Sequence, residues 1–133
     1  MDTQTLIIGG GPAGIACAIW LRKLGIEAIL LEASGALGGL QTRSPYENLW
    51  IPGVQGKTGQ QVAQALSDHA AALGVDTRLE CPVLTVTDQY TVTTPQGDLT
   101  APYLVIATGT RPRAGGFAPS ETVAIGPLSL IHI

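Results

Sequence analysis

Charge is scarce in this chain. Asp, Glu, Lys and Arg make up only 13% of its 133 residues, and the formal net charge is −3. The seven basic residues are scattered, so the chain carries no electrostatic footprint for nucleic acid. Cysteine is scarcer still: Cys17 and Cys81 stand far apart and no C-x-x-C occurs. Neither a zinc site nor a redox dithiol can be drawn within this chain on that spacing. Cys17 falls on an apolar helical stretch, where it reads as a small hydrophobe, and the pattern assigns nothing to Cys81. No positive charge precedes the apolar stretch from Leu6 to Leu21, and Asp2 lies ahead of it. That opposes a secretory leader. The glycines and proline near the start of the stretch suit a loop and not a membrane span, so a cytoplasmic protein is expected. No internal repeat is present.

What remains is apolar. The hydrophobic share of 45% is too high for a disordered chain. Low charge with many Gly and Ala suits an α/β domain whose strands are buried on both faces. The length is that of one domain, able to hide roughly two-thirds of its unfolded surface. Leu6-Ile7-Ile8 reads as a buried strand beginning near Thr3. A helix over Ala13 to Leu24 follows, with Pro12 in its first turn, Arg22 and Lys23 near its end and Gly25 as its cap. Ala28 to Glu32 is a second strand, completing a βαβ unit with parallel strands. Ala33 to Gly56 reads as a long loop of the functional or disordered kind.

A second helix is predicted over Thr58 to Leu73, with Val62, Ala65, Leu66, His69, Ala72 and Leu73 on its packed face. His69 then reads as a packing histidine. Val75 to Leu79 is a third strand. Val83 to Thr87 and Tyr90 to Thr94 are short alternating strands, followed by turn chemistry at Pro95-Gln96-Gly97-Asp98. They predict an antiparallel meander laid on the parallel layer. Tyr103 to Ala107 returns to a fully buried strand, ending in Thr108-Gly109.

The chemistry lies between the first strand and the first helix, at Gly9-x-Gly11-x-x-Gly14. Gly9 permits a tight turn, Gly11 leaves room for a pyrophosphate, and Gly14 lets helix and strand pack closely. The helix N-terminus points unpaired N–H groups at the anion. Glu32, at the end of the next strand, can accept from both adenosine ribose hydroxyls and would repel a 2′-phosphate. The fingerprint has the strand, helix and acid it needs, against the alternative of a turn that binds nothing. It does not by itself choose FAD over NAD. Gly38-Gly39, which can bring backbone against a flavin's phosphate and ribityl arm, favours FAD. So does Ala107-Thr108-Gly109 at a strand's carboxyl end, where such sheets bind ligands. Arg43, Arg111 and Arg113 read as facing water.

These motifs, with Glu32-Ala33, Gly38-Gly39-Leu40-Gln41, Glu47-Asn48, Pro52-Gly53 and the stretch Gly59 to Gly74, carry a family resemblance. The chain resembles the N-terminal part of the pyridine nucleotide-disulfide oxidoreductase superfamily, in particular its thioredoxin reductase-like group, which includes ferredoxin–NADP reductases. The resemblance reaches to Arg113. It implies a Rossmann-like FAD-binding domain, with a parallel sheet and a β-meander, incomplete at its C-terminus. It also implies an enzyme that passes hydride from NAD(P)H to FAD. By position, Gly9, Gly11, Pro12, Ala13, Gly14, Glu32 and Ala33 would hold the pyrophosphate and adenosine ribose. Gly38, Gly39, Leu40 and Gln41 would line the ribityl and flavin side, and Asn48 would approach the isoalloxazine ring. Val83 would offer backbone to the adenine, and Thr108 and Gly109 would close over the cofactor. One departure is that Asn48 and Pro52 are spaced more widely than in the group's Glu-Asn-x-Pro-Gly.

The resemblance also says what is missing. Family members carry an inserted NAD(P)H domain and a later Gly-Asp segment, and this chain has neither that segment nor a second glycine fingerprint. The expected division is residues 1–113 as the N-terminal part of the FAD domain, 114–127 as a connection toward an NAD(P)H domain, and 128–133 as a non-native tail. Leu128-Ser129-Leu130-Ile131-His132-Ile133 is the translation of CTGTCTCTTATACACATC, the mosaic end of a transposon-based sequencing adapter. The alternative for it is a terminal apolar strand. The complete protein is expected to be a homodimeric enzyme with no metal, and this segment alone is expected to be inactive. A stand-alone, non-catalytic dinucleotide-binding module is the alternative. The electron acceptor, and any redox cysteine pair, lie beyond what these residues specify.

Overall fold

The computed structural model describes residues 3–111. Arg113, the expected connection over 114–127 and the tail over 128–133 lie outside the described residues. The chain order is β1 (Thr5–Ile8), α1 (Pro12–Lys23), β2 (Ala28–Leu31), a 3-10 helix (Gly39–Arg43), β3 (Glu47–Asn48), β4 (Lys57–Thr58), α2 (Gly59–Ala72), β5 (Asp76–Arg78), β6 (Thr85–Val86), β7 (Thr91–Thr94), β8 (Gly97–Thr100) and β9 (Tyr103–Ile106). A parallel sheet runs in the order β5-β2-β1-β9. An antiparallel meander, β6-β7-β8, forms a separate sheet.

Every residue of β1 is buried, because the parallel sheet is covered on both faces. Side chains of a strand alternate between faces. Leu6 and Ile8 therefore join Ile29 and Leu31 against Val92 and Leu99 of the meander, with Cys81 in the same cluster. Ile7 and Leu30 point the other way, against Ile15 and Ala18 of α1 and Ala70 of α2. The result is three layers: helices, parallel sheet, meander. Cys17 packs at the edge of the helix-side core, as expected of a small hydrophobe. Gly25, at φ +74°, follows the last turn of α1 and donates to Arg22 O at 3.1 Å.

Four expectations need correction. The stretch over 33–56 is not one loop. It holds the 3-10 helix and β3, which pairs antiparallel with β4, and neither is long enough to show a period. The buried face of α2 is turned from the predicted one: Gly59, Val62, Ala63 and Ala70 are buried, and His69 is exposed. Helical spacing alone allowed a neighbouring stripe. The alanines at 63 and 70 took the packed positions because α2 lies close to its neighbours, so close that a side chain at Gly38 would run into Ala63. The meander has a third strand, β8, which begins within the expected turn, with Gly97 paired to Thr94. Finally, β9 is not fully buried. Tyr103 and Ile106 are 68% and 69% exposed, because among the described residues β9 is the edge of its sheet and pairs only with β1.

Candidate functional site

The site forms where strand order reverses. β2 lies on one side of β1 and β9 on the other, and the crevice at the carboxyl ends between such strands is where open α/β sheets bind ligands. Gly9 leaves β1 at φ +111°, a conformation that suits glycine. Its N–H still bonds Leu31 O at 2.9 Å, while Ala107 N–H bonds Ile8 O at 2.8 Å. A side chain at Gly9 would strike Ala107 O, and one at Gly14 would strike Gly9 O. The turn thus threads between two strand ends with no room for a Cβ. The third loop is tied in by Gly38 N–H, which bonds Gly10 O at 2.8 Å. A Cβ on Gly39 would lie 2.9 Å from Gly11 Cα, so those two glycines set how closely the loops approach.

These loops enclose a cleft of about 760 Å³. One wall is the glycine turn, with Gly9, Gly11, Pro12 and Ala13. Glu32 and Ala33 contribute from the end of β2, Gly39 and Leu40 from the 3-10 helix, and Thr108 and Gly109 from the end of β9. Five other candidate residues are not on its walls. Gly14 is buried under the turn and Gly38 against Ala63. Val83 packs on the meander-side core. Asn48 Nδ2 donates to Gln41 Oε1 at 3.4 Å and to Lys57 O at 3.3 Å, so that pair ties the β3-β4 hairpin to the 3-10 helix.

The cleft also has walls that were not anticipated. Gly10, Ser34, Thr42, Arg43, Thr110 and Arg111 line it. Arg43 and Arg111 therefore face the cleft, not open water alone. Gly10 could have been found only by knowing that its N–H reaches Glu32 Oε2, at 2.7 Å. Nothing in a one-dimensional pattern signals that contact.

The electrostatics are one-sided. No acidic residue sits in the first turn of α1, and no side chain caps its N-terminus. Ile15 N–H makes the first intrahelical bond, to Gly11 O at 3.0 Å, so the amides of Gly11, Ala13 and Gly14 have no partner within the helix. The contrast with α2 is direct. There Thr58 and Gln61 close a reciprocal capping box, at 3.2 and 2.9 Å. Arg43 and Arg111 also line the cleft, and among the described residues Glu32 is the only carboxylate that does. An uncapped helix end, a turn without Cβ atoms and a single carboxylate fit a dinucleotide with an anionic centre and a ribose.

The sequence profile described as pyridine nucleotide-disulphide oxidoreductase matches residues 3–125. The chain belongs to this family. It is 32% identical over 132 residues to a ferredoxin–NADP reductase of Leuconostoc citreum, covering 94% of this chain and 38% of that protein. It is 29% identical over 128 residues to a glucosaminate ammonia-lyase of Pseudomonas fluorescens, covering 93% of this chain and 39% of that protein. The fold matches a thioredoxin reductase from Gloeobacter violaceus with a TM-score of 0.73 and 30% identity, over 86% of this chain and 39% of that one. The chain thus spans 38–39% of the length of these relatives. Among the described residues no helix is long and apolar enough to cross a membrane, and no three His, Cys, Asp or Glu residues gather as a metal site.

Proposed function

We propose that this chain is the FAD-binding portion of an NAD(P)H-dependent flavoprotein oxidoreductase of the thioredoxin reductase or ferredoxin–NADP reductase type. The observation that carries the reading is the uncapped N-terminus of α1 sharing one cleft with Glu32. FAD, when bound, supplies the redox chemistry by accepting hydride, which NAD(P)H delivers in the complete protein. The chain's own part is to bind and orient. The amides of Gly11 and Ala13 face the pyrophosphate, and Arg43 and Arg111 offset its charge. Glu32 accepts from the adenosine ribose and disfavours a 2′-phosphate. Leu40 gives the cleft an apolar wall, and Thr108 and Gly109 border it from β9.

The test is direct. Purify the complete protein, release its cofactor by heat and identify it by chromatography. FAD in near-stoichiometric amount is expected. Protein that carries no flavin, and takes up none when FAD is added, overturns the proposal.

A further inference from the structure

Glu32 has a fixed number of places to accept. A carboxylate offers about four lone-pair positions. Oε2 accepts from Gly10 N–H at 2.7 Å, and Oε1 accepts from both the N–H and the hydroxyl of Ser34, each at 2.8 Å. Three of the four positions are therefore met from within the chain. Gly10 is confined to its role: a Cβ there would lie 2.8 Å from Glu32 Oε2 and 2.6 Å from Leu37 Cδ2. The Ser34 hydroxyl is not so confined. It has one proton and a second acceptor, Ala36 O, also at 2.8 Å.

We propose that Ser34 is a positioning residue for the adenosine ribose, acting through Glu32. This rests on the reading of the cleft as an FAD site. Its N–H and hydroxyl hold Oε1 while Gly10 N–H holds Oε2, so the carboxylate is aimed before a ribose arrives. The hydroxyl stays on Oε1 when the ribose binds, so Glu32 presents its fourth acceptor position, on Oε2, in a fixed direction and loses that aim when the hydroxyl is removed. No other side chain donates to Glu32 among the described residues.

The experiment uses the complete protein freed of flavin, with ADP and 2′,3′-dideoxy-ADP as probes in titration calorimetry. Ser34→Ala is expected to weaken ADP about 3- to 10-fold, the scale of one hydrogen bond. It should leave dideoxy-ADP within about twofold, because the hydroxyls that Glu32 receives are absent from that probe. Ser34→Thr, which keeps the hydroxyl, should restore ADP binding. An equal loss for both nucleotides would mean that Ser34 only supports the loop, and unchanged ADP affinity would mean that it does nothing; either result ends the proposal. If wild-type protein binds neither FAD nor ADP, the cofactor reading fails and takes this inference with it. If wild type binds FAD and Ser34→Ala behaves as wild type, this inference fails alone.

Discussion

Removing the Glu32 carboxylate tests the reading of the cleft most sharply. Its donors within the chain, Gly10 N–H and the N–H and hydroxyl of Ser34, leave one acceptor position for a ribose hydroxyl. Hydrogen bonds to a charged group are worth about 1.5–3 kcal/mol each. Glu32 is half-buried, so water takes back part of that when the side chain is gone. We expect Glu32→Ala to cost about 2–3 kcal/mol of FAD affinity, or roughly 30- to 150-fold in Kd. Its effect on folding should be smaller, about 1 kcal/mol, from the loss of an acceptor at a part-buried N–H. Glu32→Gln keeps the size and one carbonyl acceptor, so it should fall between Ala and wild type. Flavin fluorescence titration gives the Kd values, and a thermal melt of the flavin-free protein separates affinity from stability. An Ala variant within about threefold of wild type in Kd, and folded, would refute the assignment of Glu32 to the ribose.

Two further outcomes follow from the geometry. Gly14→Ala places a methyl group against Gly9 O, so strand and helix must part; we expect a loss of about 1–3 kcal/mol in a urea melt, together with lower flavin content. Thr58→Ala removes one half of the α2 capping box and should cost about 1 kcal/mol in the same melt. Thr58 does not line the cleft, so the Kd for FAD should not move with it.

The βαβ core was legible because its signals repeat along the chain. A continuous apolar run, a glycine turn, a helix closed at its C-terminal end by Gly25 and a second apolar run all agree on one arrangement. The turn's geometry was legible for the same reason, since Gly9 and Gly14 each stand where a Cβ would strike neighbouring backbone. The parts that were not legible depend on contacts between distant segments. Which stripe of α2 is buried depends on its neighbours, and the periodicity of Val62, Leu66 and His69 does not contain that. The exposure of Tyr103 and Ile106 reflects a position at the sheet edge, which the apolar run from Tyr103 to Ala107 does not reveal. Gln41, Asn48 and Val83 were placed by resemblance to a cofactor site, and none of them lines the cleft. Ser34 lies two residues from Glu32, yet its hydrogen bond belongs to a turn with no periodic signature.

The burial of Cys81 has a practical consequence. The residue is 1% exposed, and its N–H bonds Glu32 O at 2.9 Å, next to the bond from Glu80 N–H to Ser34 O, also at 2.9 Å. The chain segment that carries the acid cannot lift away without breaking those two bonds. A thiol reagent reaches Cys81 only when this region opens, so its modification rate measures the local opening free energy. Cys17, which is partly exposed, reacts without that opening and serves as an internal clock. A nucleotide that bridges Glu32 to the glycine turn stabilises the closed form and slows Cys81 relative to Cys17, in proportion to its occupancy. Native chemistry at two thiols thus turns nucleotide binding into a ratio of rates, with no cysteine engineered into the chain.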